Sequence, residues 1–587
     1  DLLYGKADVF RNYFLRTREE KYLKTALEIY NLIDKINDDI RNSKMAEGSL
    51  LAINELFRAD YEKGIDCAFE LNKLTRDNKY LHNAFKLIEK SKYMLLLKSL
   101  SAAEYYDASA SIDLKNIEDS LKSQYINYQL QIESENTKDV PDSTVLAELT
   151  EKRNQYGIEL DNFKMMVTEK YPNYAMVKYD TLIKTYQDFK TYCAENDLLG
   201  IEFYWGLKNT YVVTTNNFGS EVYKVELNDS IRKSISVLQN QLSKGFSMST
   251  SKIDFTEFTY HSYQLYKKLL REAVNGYPKD QQILIIPDGP LSQLPFEILL
   301  TEKIADDYVD YQNLPYLINT YYTGYAYSAN LLLAKPLITG QSSNRLVAFS
   351  YSKINADQND EGRSAAQEEL HHAAIELRAI RKEMGRKKSR YYYGMDATES
   401  EFKRIASNYH IIHLAVHGES DTTSSMNTKL IFKNELDTLE DGELYMHELF
   451  GLDLSHTELA VLSACETGIG KSYTGEGVFS MARGFAYAGC PSIVMSLWRV
   501  DDRFTSQLMK NFYKNLKKGE NIAESLTNSK RQFIDESGEN GAHPSNWAAF
   551  VPVGKNSVIE KSSGVFYYII ILIFIIAFIV IYLRVKK

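Results

Sequence analysis

Two short apolar runs carry side chains capable of covalent chemistry: YHIIHLAVHG ends in His417 and Gly418, and ELAVLSACETG contains Cys465. A cysteine attacks a carbonyl as its thiolate, so it needs an imidazole to take the proton and backbone N–H donors to hold the oxyanion. If adjacent strands present these ends side by side, His417 is the base and the N–H groups of Gly418 and Cys465 form the oxyanion hole. Gly418, without a Cβ, lets a substrate backbone approach closely. On residue type alone, a cysteine and a histidine at strand ends read more often as core residues than as a catalytic pair.

The elements around them set the frame. QILIIPDGPL, RLVAFSY, YHIIHLAVHG, ELAVLSACETG and PSIVMSLWRV are short runs rich in Ile, Val and Leu, separated by amphipathic stretches. That alternation predicts an α/β domain with a mostly parallel sheet flanked by helices, its functional residues at the carboxyl ends of strands. Residues 1–140 differ: they hold no proline, only Gly5, Gly48 and Gly64, and apolar residues at three- and four-residue steps. This predicts an all-α array. KYLKTALEIY from Lys21 is echoed by KYLHNAFKLI from Lys79, a 58-residue step that resembles degenerate tetratricopeptide repeats without matching their 34-residue period. An irregular helical bundle stays open as the alternative. Such an array offers a groove for a protein partner. IEFYWGLKNTYVVTTN from Ile201 reads as a hairpin, with helices resuming to about Asn275.

Spacing sharpens the reading of the reactive pair. Caspases carry a QAC signature followed by a variable residue and Gly, with the histidine about 50 residues upstream. Here SACETG stands with Cys465 48 positions after His417. The surrounding blocks resemble the CHAT family, caspase-like domains commonly found behind tetratricopeptide repeats: IIPDGPLSQLPFEIL from Ile285, MDATESEF from Met395, HIIHLAVHG from His410 and LSACETGIG from Leu462. They continue with GEGVFSMARGFAYAGCPSIVMSLWRVDD from Gly475, NFY from Asn511 and HPSNWAAFVPVG from His543. The resemblance implies a cysteine endopeptidase with Cys465 as nucleophile and His417 as general base, acting on a protein or peptide and needing no cofactor or metal. No third triad member is evident. The alternative is a catalytically silent interaction scaffold that keeps the caspase-like fold. A latent enzyme that waits for a ligand of the helical array is a third reading.

The chain divides accordingly into a tetratricopeptide-like region at 1–165, connecting helices and hairpin at 166–275, and the CHAT domain at 276–554. A juxtamembrane linker at 555–564, a transmembrane helix at 565–583 and a basic tail at 584–587 follow. The helix is expected because VFYYIIILIFIIAFIVIYL is uncharged and, at 1.5 Å per residue, about 28 Å long. This predicts a single-pass protein in contact with a lipid bilayer, its orientation left open. The chain begins at Asp1, so an upstream segment such as a signal peptide is expected.

Other residues have blander readings. Asp288, Asp501 and Asp502 end strands and fit equally as turn caps or as walls of a pocket for a basic P1 side chain. His413 lies four positions before His417 and reads first as a core residue. Thr398 and Glu401 spell a capping box. The polar stretch from Tyr351 reads as a surface loop, with cleavage or rearrangement as in caspases the lesser alternative. Gly470, Lys471 and Ser472 mimic the end of a phosphate loop, but its first glycine would fall at Cys465. Cys67, Cys193 and His82 read as packing or surface residues, and His447, His456 and His543 are isolated. Neither HExxH nor a CxxC pair points to a metal. A net charge of −9, from 69 basic and 78 acidic residues, argues against direct nucleic-acid binding.

Overall fold

The computed structural model describes residues 2–42, 47–92, 112–136, 138, 141–170, 184–244, 251–305, 308–334, 344–352, 365–419, 428–434, 437, 439–463, 471–473 and 477–559.

Four helices open the chain: α1 (Leu2–Thr17), α2 (Glu20–Asn42), α3 (Glu47–Thr75) and α4 (Asn78–Lys90). The echoed segments lie in α2 and α4 and bury matching positions: Leu23 and Leu81, Ala26 and Ala84, Leu27 and Phe85. The small alanines let neighbouring helices approach, and the larger residues fill one shared core. The helices Ile112–Asn136 and Ser143–Lys170 pack on each other, with Tyr128 and Tyr156 stacked at 5.5 Å.

The strands, in chain order, are β1 (Leu198–Trp205), β2 (Asn209–Thr215), β3 (Ser220–Glu226), β4 (Gln282–Ile286), β5 (Tyr322–Tyr325), β6 (Asn344–Ser350), β7 (Ser389–Tyr393) and β8 (Tyr409–Ala415). There follow β9 (His417–Glu419), β10 (Lys429–Ile431), β11 (Glu443–Tyr445), β12 (Leu459–Leu462), β13 (Lys471–Tyr473), β14 (Gly477–Phe479), β15 (Ser492–Ser496) and β16 (Phe550–Gly554). Eleven form one sheet in the order β3-β2-β1-β4-β5-β16-β15-β12-β8-β6-β7. The hairpin read from Ile201 belongs to this sheet, so the sheet begins at Leu198, within the segment read as a connector.

The expectation of a mostly parallel sheet needs one refinement. β1, β4, β5 and β16 are parallel to one another, and so are β15, β12, β8, β6 and β7, but β16 meets β15 antiparallel. Nine of its strands thus form two parallel blocks running in opposite directions, and β2 and β3 extend the first block as an antiparallel hairpin. The carboxyl end of β4 therefore lies at the edge opposite the carboxyl ends of β8 and β12.

The helical array docks on the first block. Leu23, Tyr61, Ala84 and Phe85 share a core with Leu198, Tyr204, Tyr211, Leu284 and Ile286, whereas Ile201, Phe203, Ile283 and Ile285 enter the main core on the other face. Buried ion pairs cross this junction: Arg58 to Asp288, and Lys92 to Glu202 at 3.0 Å. Glu62 accepts hydrogen bonds from the N–H groups of Leu207 and Lys208. The second block is covered by the helices Ala365–Met384 and Asp502–Lys518, which pack together.

Among the described residues no helix is long and apolar enough to cross a membrane. This corrects the expectation of a single-pass protein in contact with a bilayer. The stretch 565–583 that prompted it, the tail and part of the linker lie outside the described residues.

Candidate active site

β8 and β12 are neighbouring parallel strands, registered from Ile411 opposite Leu459 to Leu414 opposite Leu462. His417 follows Leu414 by three positions, and in the sequence Cys465 follows Leu462 by the same three. Residues 464–470, Cys465 among them, lie outside the described residues. After Ala415 the chain turns into β9, which pairs antiparallel with β10, and β10 with β11. This small sheet fixes His417 opposite Ile431 and Gly418 opposite Leu430.

The His417 ring is half-buried and meets Tyr351 edge-on, with centroids 4.6 Å apart. Lys433 Nζ stands 4.1 Å from the Tyr351 ring centroid. Burial first, and then the charge of Lys433, push the imidazole pKa below its ordinary value, against a smaller upward pull from Glu419. A lowered pKa keeps His417 neutral near pH 7, the form that accepts a proton. Tyr351 is placed by its N–H, which donates to Ala415 O at 3.1 Å. Sequence reasoning missed both neighbours. Tyr351 read only as the start of a polar loop, and nothing local marks Lys433.

His413 does not join His417. It is wholly buried, with Nδ1 3.0 Å from Tyr513 OH and Nε2 3.0 Å from Glu376 Oε1. Since His413 pairs with Val461 and Val461 with Val494, the next residue Met495 faces the other side of the sheet. There Tyr325, Met495, Leu497, Val551 and Val553 line an open, largely apolar cleft.

The acidic residues are not gathered into one pocket. Asp288 accepts from Arg58, from Trp205 N and from Gly289 N, on the edge away from His417. Its carboxylate is already neutralised, so a P1-pocket role for Asp288 is set aside in favour of a cap and ion pair. Asp501 follows β15 on the edge of His417, caps the helix Asp502–Lys518 through Arg503 N and pairs with the Arg503 guanidinium at 2.8 Å. Asp502 begins that helix. Thr398 does accept from Glu401 N, but the Glu401 carboxylate turns instead to Tyr392 and Arg404. Among the described residues one group of three metal-ligand-type side chains converges, Glu399, Glu440 and Glu448, and Lys403 Nζ sits among them at 2.7, 3.0 and 2.7 Å. Cys67, Cys193 and Cys490 are buried free thiols whose pKa burial pushes up, to about 12 for Cys67 and Cys490.

The CHAT domain family model matches residues 261–555, half of the chain. The chain belongs to the CHAT domain family. The match supports the caspase-like protease-family fold that the sequence blocks implied. Tetratricopeptide repeat protein 28 of Mus musculus is 29% identical over 117 residues, 20% of this chain and 5% of that protein. Its Homo sapiens counterpart is 28% identical over 107 residues, 18% of this chain and 4% of that protein. The CHAT chain thus spans about a twentieth of the length of these relatives. Two structures of the Saccharomyces cerevisiae separase–securin complex align at 10% identity with TM-scores of 0.38, covering 94% and 93% of this chain and 47% and 46% of theirs.

Proposed function

We propose that this CHAT protein is a cysteine endopeptidase in which His417 and Cys465 carry the chemistry. The observation that supports it is the strand register: with Leu414 opposite Leu462, His417 and Cys465 each follow by three residues on adjacent parallel strands. Neutral His417 takes the thiol proton, and the thiolate attacks the scissile carbonyl. The N–H groups of Gly418 and Cys465 stabilise the oxyanion. His417 returns its proton to the leaving amine, then deprotonates the water that hydrolyses the thioester and regenerates the thiol. No step requires a cofactor. The helical region recruits a protein partner or substrate.

The test is proteolysis of a proteome-derived peptide library by the full chain beside Cys465→Ala, read by mass spectrometry. Cleavages present in the first and lost in the second support the peptidase. Identical maps refute it for this state of the protein and favour a silent scaffold. The same maps read the P1 residue, and a preference for Arg or Lys would point to Asp501 and Asp502.

A further inference from the structure

We infer that Glu376 is a positioning residue: its buried carboxylate anchors the end of β12, the strand that leads to Cys465, beside His413 of β8, the strand that leads to His417. This rests on the peptidase reading above. Glu376 lies on the helix Ala365–Met384, which packs against β6 and β8. Its Oε1 accepts a hydrogen bond from Ser463 Oγ at 2.7 Å and lies 3.0 Å from His413 Nε2, off the line of a hydrogen bond. Ser463 is the first residue beyond β12, two positions before Cys465. His413 sits on β8, four positions before His417, and is braced from behind by Tyr513.

The helix does not need a carboxylate there for packing, since its neighbours Ala374, Leu377, Ile380 and Met384 are buried and apolar. A carboxylate held away from water is costly unless hydrogen bonds or an opposite charge satisfy it, so the Ser463 hydroxyl is held against it as firmly as it is held by Ser463, while the His413 ring packs beside them. The ladder between β8 and β12 stops at Leu414 and Leu462. One residue beyond β12, the Glu376 carboxylate holds Ser463 to the helix that packs over β8. An error of about 1 Å in the placement of a reacting group can cost roughly a hundredfold in rate.

The test is the rate at which iodoacetamide alkylates Cys465 in the full chain at neutral pH, followed by peptide mapping. Cys67, Cys193 and Cys490, buried and with raised pKa, serve as slow internal references. Glu376→Met is expected to slow Cys465 by roughly tenfold to a hundredfold, and Glu376→Gln, which keeps an acceptor for Ser463, to restore most of the rate. Ser463→Ala removes the link from its other end and should slow Cys465 likewise if Glu376→Met does not fold. Lys530→Met breaks a buried pair elsewhere in the domain, Lys530 with Glu297 at 2.5 Å, and should leave the rate unchanged. If His417→Ala slows Cys465 but Glu376→Met and Ser463→Ala do not, the positioning role is overturned and the peptidase reading stands. Equal slowing by Lys530→Met would reduce the effect to general destabilisation and also overturn it. A wild-type Cys465 that reacts no faster than in urea, and is indifferent to His417→Ala, would bring down both.

Discussion

Replacing Arg58 by Met tests whether the helical array is locked to the sheet by charge. The Arg58 and Asp288 side chains are each 8% exposed, and the guanidinium also donates to Trp205 O at 3.0 Å and lies 4.6 Å from the Tyr204 ring centroid. Breaking a buried pair by removing one partner costs about 3–5 kcal/mol, chiefly because the other charge stays buried. Asp288 would keep the N–H groups of Trp205 and Gly289, at 2.6 and 2.9 Å. The lower end, about 3 kcal/mol, is therefore expected. The assay is hydrogen exchange in the full chain, where that loss appears as a roughly hundredfold rise in opening at amides near Trp205 and Asp288. Arg58→Met combined with Asp288→Asn removes both charges and keeps an acceptor, and should return to within about 1 kcal/mol of the wild type. Lys24→Met, at a pair whose side chains are 45% and 41% exposed, is the control and should change almost nothing. An Arg58→Met variant as protected as this control, or a double variant no better than the single one, refutes the lock.

Three further outcomes follow from single contacts. Lys433→Met removes a charge that lowers the His417 pKa, so the acid limb of Cys465 reactivity should move to higher pH; a rate–pH profile that does not move would show that Lys433 is no part of the site. Burial raises the Glu399 carboxyl from 4.5 to about 7, so the folded state holds its proton more tightly than the unfolded one. Its contribution to stability is complete below about pH 4.5 and is lost as pH rises through about 7. Glu399→Gln should flatten that slope, and melting curves for both proteins on either side of this window would show an unchanged slope if burial were not the cause. Gly289 has φ +57°, and a Cβ there would lie 2.8 Å from Trp205 Cγ, so Gly289→Ala should cost about 2 kcal/mol or more; denaturant unfolding that finds less than about 0.5 kcal/mol would contradict the packing.

The strands that lead to the candidate site were legible in the sequence because they are written locally. A run of β-branched residues ending in His-Gly, or in Ser-Ala-Cys, marks both a strand and its terminus, and the repeated Leu, Ala and aromatic positions of α2 and α4 expose a helical face. Strand direction is not written locally. QILII before Asp288 and HIIHLA before His417 look alike, and only the antiparallel pairing of β15 with β16 reveals that they point opposite ways. Reading both strand ends as one edge is what placed Asp288 in a pocket with Asp501 and Asp502. Glu376 was hidden for another reason: Glu368, Glu369 and Glu376 share one amphipathic helix, and its sequence does not say which carboxylate Ser463 and His413 will meet.

The reversal at β15 and β16 also sorts the family blocks by task. IIPDGPLSQLPFEIL belongs to the first block of strands, and its polar residues are spent on structure: Asp288 on Arg58, Glu297 on Lys530 and the Tyr325 hydroxyl, with Trp205 packed against Gly289. HIIHLAVHG begins in β8 of the second block and runs on to His417, and LSACETGIG begins at Leu462, the last residue of β12, with Cys465 three positions on in the sequence. The helical array packs on the first block, and its buried ion pair from Arg58 to Asp288 lies at the end of the strands away from His417. Among the described residues the two blocks of strands are hydrogen-bonded to each other where β16 meets β15, so exchange protection at β16 and β15 should change when a partner that acts through the sheet binds the array.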